Sequence, residues 1–167
     1  MKFRFLEEDM FYSTFLFEIS EVQCGDHYDE KNPQHVEWLR NYIKSLYLCG
    51  GQALCLYSDE EEPIGFIYLL HDLGLENVDC FGKKATIAMF EVKEKYRSKG
   101  YGTMLCKKAE EYLRSRGAEC LYTDTPDDPD DRRALLFYIR YGFTPVGCHP
   151  CVNGKNDMPQ IYLFKYL

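Results

Sequence analysis

The 167-residue sequence contains no apolar run of the roughly 18 residues that a membrane-spanning helix needs. Its first ten residues hold no apolar segment of signal-peptide length and turn acidic at Glu7, so a secretory leader is not expected. Positive charge is in short supply. Lys and Arg number 20 against 27 Asp and Glu, for a formal charge of -7. A nucleic-acid binder would need a basic face to neutralise phosphates, so that class is excluded. The acidic balance favours a cationic small partner at long range and says nothing about any single pocket. Internal repeats and Gly/Ser linkers are missing, and the one biased tract is the acidic stretch from Asp124 to Asp131. A single domain over 1–167 follows, long enough to bury a core without disulfide or metal staples. The 46% of hydrophobic residues exclude disorder.

Eight cysteines are present, at 24, 49, 55, 80, 106, 120, 148 and 151, mostly inside apolar stretches. Reduced cysteine behaves as a small buried hydrophobe, which fits a cytoplasmic protein. Cys148 and Cys151 form a C-x-x-C, and Cys24 with His27 a C-x-x-H, together enough ligands for one zinc ion. Against that reading, no second C-x-x-C exists. The segment after Cys151 also reads as a loop, not as the helix N-terminus that activates a redox thiol. No metal is expected.

Lys2 to Leu6 alternates basic and apolar residues, as a half-buried strand does. Glu7, Glu8 and Asp9 supply the negative first turn of a helix that continues through Phe11, Phe15, Leu16 and Ile19. A second helix starts near Asn32-Pro33 and stops at Gly50-Gly51. Strands are expected at Gln52 to Tyr57, Ile64 to Leu70 and Ala85 to Val92. The last of these is almost continuously apolar, as suits a central strand covered on both faces. A helix over Gly102 to Arg116, a strand over Ala118 to Thr123 and a helix over Arg132 to Tyr141 follow. Strands over Phe143 to Cys148 and Gln160 to Tyr166 close the chain. The order β-α-α-β-β-β-α-β-α-β-β mixes crossovers with hairpins, so the fold class is α/β with a mixed sheet and helices on its faces.

The stretch from Phe90 to Thr103 carries the chemistry. A buried strand runs out at Val92, a polar turn follows, and Gly100 and Gly102 open a helix. First-turn amides lack intrahelical partners and, aligned with the macrodipole, attract an anion. Arg97, Lys99, Lys107 and Lys108 add positive charge, which makes a diphosphate the natural ligand. The spacing R-x-x-G-x-G is neither the dinucleotide fingerprint nor a triphosphate-binding loop. Taken alone, the segment also reads as an ordinary strand-to-helix turn.

Arg97, Gly100 and Gly102 stand in the register of the acetyl-CoA motif Q/R-x-x-G-x-G/A of the GNAT superfamily of N-acetyltransferases, which this sequence resembles. A second family motif, N-x-x-A-x-x-x-Y-x-x-x-G-F, is matched by Ala134, Tyr138, Gly142 and Phe143, one helix and one strand downstream. Asp131 replaces the opening asparagine and Glu94 a frequent proline. Aspartate can cap a helix but cannot donate an amide hydrogen bond.

The resemblance implies the GNAT fold, with a mostly antiparallel central sheet whose fourth strand splays from the fifth. It implies acetyl-CoA as acyl donor, held by Phe90 and Val92 along the pantetheine arm and by Arg97, Ser98, Lys99, Gly100, Tyr101, Gly102 and Thr103 at the pyrophosphate. Asp131 falls at a pantetheine-contacting position. Direct transfer to an amine is implied, with an amide near Val92 stabilising the oxyanion and Tyr138 protonating the leaving thiolate. Tyr138 also reads as a tyrosine packed at helical spacing. Glu91 is a candidate base, with a solvent-facing carboxylate as its alternative; Thr86 and Glu94 are weaker candidates. Asp124, Asp127, Asp128, Asp130 and Asp131 read either as a negative rim for a cationic amine or as a solvated turn. The acceptor is a small-molecule or protein amine, no nucleic acid or membrane partner is expected, and a homodimer is the family default. A silent acyl-CoA-binding module with the same fold is the rival to an N-acetyltransferase.

Overall fold

Alternation and capping place the elements much as the sequence indicates. A computed structural model describes residues 1–24, 29–71, 83–129, 132–149 and 158–167. Strand β1 (Lys2–Leu6) leads to helix α1 (Glu8–Cys24), opened by a hydrogen bond from Phe11 N–H to the Glu7 carbonyl. Helix α2 (Pro33–Leu48) is capped by the Asn32 carboxamide oxygen, which accepts from Gln34 N–H at 3.0 Å, with proline at its first position. Strands β2 (Gln52–Tyr57), β3 (Pro63–His71) and β4 (Lys84–Val92) follow, then a single 3-10 turn at Glu94–Tyr96. Helix α3 (Tyr101–Ser115), strand β5 (Cys120–Pro126), helix α4 (Arg133–Tyr141) and strands β6 (Thr144–His149) and β7 (Gln160–Tyr166) complete the order.

The strands form one seven-stranded sheet in the order β1-β2-β3-β4-β5-β7-β6, antiparallel except where β4 meets β5. Its two faces carry separate cores. Helices α3 and α4 cover one, with Leu105, Ala109, Leu113 and Leu135 against Leu54, Ile67, Leu69 and Leu121. Helices α1 and α2 cover the other, with Phe11, Phe15, Ile19, Leu39 and Ile43 against Cys55, Phe66, Tyr68 and Met89. Burying both faces draws on most of the apolar positions, which is the main source of stability in such a layered fold.

Two departures from the sequence reading bear on the site. Strand β5 starts at Cys120, not Ala118, because Gly117 turns left-handed (φ 82°) and Ala118 N–H closes α3 by donating to the Leu113 carbonyl at 3.0 Å. The strand then runs on to Pro126 because β7 pairs with it throughout, so Asp124 lies in the strand opposite Tyr162 and not in the loop after it. Strand β4 is not uniformly buried either. A register shift, Tyr68 opposite Met89 but Leu69 opposite Ile87, leaves Ala88 as an extra residue. Ile87 therefore faces α3 and α4, whereas Met89 faces α1 and α2. Beyond the bulge Phe90 and Val92 return to the α3–α4 face, so alternation starts the Glu91 side chain from the α1–α2 face of the strand.

Candidate active site

Strands β4 and β5 pair for only three residues each, from Lys84 opposite Cys120 to Thr86 opposite Tyr122, and then part. At the point of parting the Thr123 hydroxyl donates to the Ile87 carbonyl at 3.3 Å. On its other side β4 stays paired with β3: Glu91 lies opposite Phe66, and Lys93 N–H donates to the Ile64 carbonyl at 2.9 Å. Antiparallel pairing alternates, so the main-chain groups of Phe90 and Val92 point away from β3 and into the gap. A cavity of about 740 Å³ opens there, between the end of β4, the start of α3 and one face of α4.

The polar end of this cavity is the turn into α3. Ser98 (φ 61°) and Gly100 (φ 85°) both adopt left-handed conformations around Lys99, and successive amides in such a turn converge. The first helical hydrogen bond of α3 runs from Met104 N–H to the Gly100 carbonyl at 3.1 Å, so the amides of Tyr101, Gly102 and Thr103 precede any helical pairing. A Cβ on Gly100 would meet nothing within 4 Å, leaving room for a ligand against the main chain. Gly102 is needed for another reason. Its Cβ would stand 3.2 Å from the Phe90 ring and 3.3 Å from the Phe137 ring, so glycine there lets α3 pack against both aromatics.

Of the residues singled out in the sequence, Phe90, Glu91, Val92, Arg97, Ser98, Gly100, Tyr101, Gly102, Thr103 and Tyr138 all border the cavity. Lys99 does not line it. Its ammonium donates to the Lys95 carbonyl at 2.8 Å and lies near the Tyr96 ring. Lys108 pairs with Glu111 at 2.8 Å, away from the start of α3. Asp131 and Asp130 lie outside the described residues, as do His27 and Cys151 of the zinc reading. No metal-ligand cluster occurs among the described residues. Missed in the sequence were Arg133 and Arg140, exposed on α4 and bordering the cavity. Their seven-residue separation, two turns on one helix face, was the signal that could have found them.

Arg97 is engaged within the protein. Its Nε donates to the Val92 carbonyl at 3.0 Å, and its Nη2 lies 3.1 Å from Glu91 Oε1. The same Glu91 oxygen accepts the Val92 N–H at 2.8 Å. Tyr138 is 5% exposed, its ring packed among Phe90, Phe137 and Phe143. Burial pushes its phenol well above the ordinary tyrosine range, partly offset by a hydrogen bond with Thr123. The phenol is therefore protonated at neutral pH, the form a proton donor requires. Cys106, whose charge acts on the Tyr138 phenol, is fully buried, and burial pushes its thiol up to about 12. It is no thiolate nucleophile at neutral pH.

Past the end of its pairing with β4, strand β5 carries Asp124, which acts on the Tyr42 phenol, and Tyr42 stacks with Trp38 at 5.6 Å with an interplanar angle of 4°. Desolvation raises the Asp124 carboxyl above the ordinary aspartate value, although the residue as a whole is exposed. Asp124 in turn raises the Tyr42 phenol, after the larger effect of burial. Asp127 is paired with Arg132 at 3.6 Å, so the acidic stretch is not uniformly open to a ligand.

The chain matches a family described as the acetyltransferase (GNAT) family over residues 14–143. A search of curated proteins found none that matches. Among solved structures, an aminoglycoside 6'-N-acetyltransferase complexed with coenzyme A is similar, with a TM-score of 0.67 at 17% identity over 99% of this chain and 97% of that one. Ard1 from Thermoplasma volcanium gives 0.70 at 16% identity over 99% and 97% of the two chains. Mutant forms of the spermidine/spermine N-acetyltransferase SpeG from Vibrio cholerae give 0.66 at 14% identity over 99% and 93%. At such identities the likeness is one of fold.

Proposed function

Because the chain belongs to the acetyltransferase (GNAT) family, we propose that it is an acetyl-CoA-dependent N-acetyltransferase acting on a primary amine. The observation that carries this reading is the parted β4–β5 pair, with the main chain of β4 turned to the gap along one wall and the Ser98–Thr103 amide turn at its end. Acetyl-CoA supplies a thioester already activated for attack. Anionic oxygens are drawn to the amides of Tyr101, Gly102 and Thr103, and Gly100 leaves space for them. Arg133 and Arg140 add positive charge at the rim. The outward main chain of Phe90 and Val92 matches the amide groups of an extended pantetheine arm, much as one strand matches another.

At the closed end of the gap, the Tyr138 hydroxyl serves as proton donor to the departing thiolate. Thr123 steadies it from β5. Glu91, which borders the cavity at the end of β4, would accept a proton from an incoming ammonium. Asp124 with Trp38 and Tyr42 makes a negative, aromatic wall, which favours an acceptor carrying further positive charge. The aminoglycoside and polyamine acetyltransferases of similar fold act on amines of that kind. Calorimetry with acetyl-CoA, followed by a thiol-release assay over an amine panel, tests the proposal. Binding with release is expected. Binding without release across the panel would favour a silent acyl-CoA-binding module, and absence of binding would remove both readings.

A further inference from the structure

In the free protein, both main-chain groups that Val92 turns toward the gap are already taken by its own side-chain neighbours. Glu91 Oε1 accepts the Val92 N–H at 2.8 Å, and Arg97 Nε donates to the Val92 carbonyl at 3.0 Å. The two side chains are themselves joined at 3.1 Å, which closes a ring around the main chain of one residue. A carboxylate accepting from an amide and a guanidinium makes charge-assisted hydrogen bonds, which are stronger than neutral ones. The carboxylate thus occupies the donor position that a thioester or pantetheine carbonyl would need. Arg97, which borders the same cavity as the phosphate-facing turn, is held back on the strand.

We propose that the Glu91 carboxylate is a resident occupant of the Val92 amide, displaced when the acetylated donor binds, so that the group receiving the acceptor's proton is released only on the donor-loaded protein. This rests on the N-acetyltransferase reading above. The donor's acyl carbonyl takes over the Val92 N–H as Glu91 swings out on the α1–α2 side, and Arg97 is freed toward the phosphates. The exchange imposes an order. An ammonium acceptor finds no available base in the free protein and finds one after the donor is seated, which limits abortive binding of amine to the empty site. It also gives the protein a means of telling acetyl-CoA from CoA, since CoA has no acyl carbonyl with which to claim the amide.

Removing the carboxylate should therefore tighten donor binding, the reverse of what loss of a supporting contact does. The test is calorimetric titration of acetyl-CoA and of CoA into the wild type, Glu91→Ala and Glu91→Gln. For Glu91→Ala the expected result is acetyl-CoA binding tighter by about tenfold, the scale of one charge-assisted hydrogen bond no longer to be broken. CoA should tighten by no more than about threefold. Glu91→Gln, which keeps the side-chain shape and an acceptor oxygen but loses the ion pair, should fall between, and it carries the same comparison if the alanine variant does not fold. Unchanged or weaker acetyl-CoA binding in both variants would overturn the proposal. Equal tightening of the two ligands would also overturn it, since that is the signature of simply removing a negative charge near an anion. A wild type that binds neither ligand would instead remove the acetyltransferase reading itself.

Discussion

Two substitutions at Gly100 separate an anion cradle from an ordinary turn. Gly100 has φ 85°, and a left-handed conformation costs an L-residue about 1–2 kcal/mol. Its missing Cβ faces open space with nothing within 4 Å, so Gly100→Ala meets the conformational cost and no collision. For a domain of this size that cost lowers Tm by about 2–8 °C. Acetyl-CoA affinity should fall less than with an acidic side chain, because the methyl group takes part of the space left for the phosphate oxygens but brings no charge. Gly100→Asp places a negative charge in the same space. Unit charges about 4 Å apart repel by about 1 kcal/mol in water and about 4 kcal/mol at an effective dielectric constant of 20. A value near 2 kcal/mol is reasonable for a half-open cleft and corresponds to roughly thirtyfold weaker binding. Isothermal titration with acetyl-CoA at two salt concentrations, beside thermal melts of both variants, gives the readout. The aspartate penalty should shrink at high salt, as a screened repulsion does. If the two variants bind acetyl-CoA equally well, no phosphate sits against Gly100 and the anion site is refuted.

Other outcomes follow from the same geometry. Tyr138→Phe keeps the ring contacts with Phe90, Phe137 and Phe143 and loses only the hydroxyl, so turnover should fall by roughly a hundredfold while acetyl-CoA affinity is kept. The reverse pattern in steady-state and binding measurements would remove its role as acid. Gly102→Val drives a branched side chain into the Phe90 and Phe137 rings and should cost about 1–3 kcal/mol in a denaturant melt, since α3 cannot retreat without opening its core. Asp124→Asn should raise KM for a diamine more than for a monoamine of equal length. Burial raises the Asp124 carboxyl, so it loses its charge at a higher pH than an ordinary aspartate does. In the wild type, the diamine KM should accordingly rise as pH falls toward the acid side, and in the variant that rise should flatten.

Much of the architecture could be read from one-dimensional pattern, because alternation in β1, capping at Asn32-Pro33 and glycine stops at 50, 117 and 142 are local signals. The turn into α3 was legible for the same reason: Arg97, Gly100 and Gly102 lie within six residues of one another. What escaped depends on partners distant in the chain. The extension of β5 through Asp124 to Pro126 is imposed by β7, and the inward turn of Phe90 by a bulge visible only against β3. Arg97 looks like a phosphate ligand from its spacing, yet it spends its hydrogen bonds on Glu91 and Val92, a pairing formed only once the 3-10 turn folds the loop back on the strand. The role of Gly102 shows the same limit: motif register marks the glycine, and only packing shows that two phenyl rings require it.

The brief β4–β5 ladder leaves β1–β4 and β5–β7 joined by few rungs, like two panels on a short hinge. A ligand lying along the open edge would act as the missing strand and tie the panels together. Occupancy should then register far from any reacting atom, as slower amide exchange along β4 and β5 and as a melting temperature that climbs with ligand concentration. The protein would then complete its own hydrogen-bonded frame each time it loads and give that completeness up each time the ligand leaves.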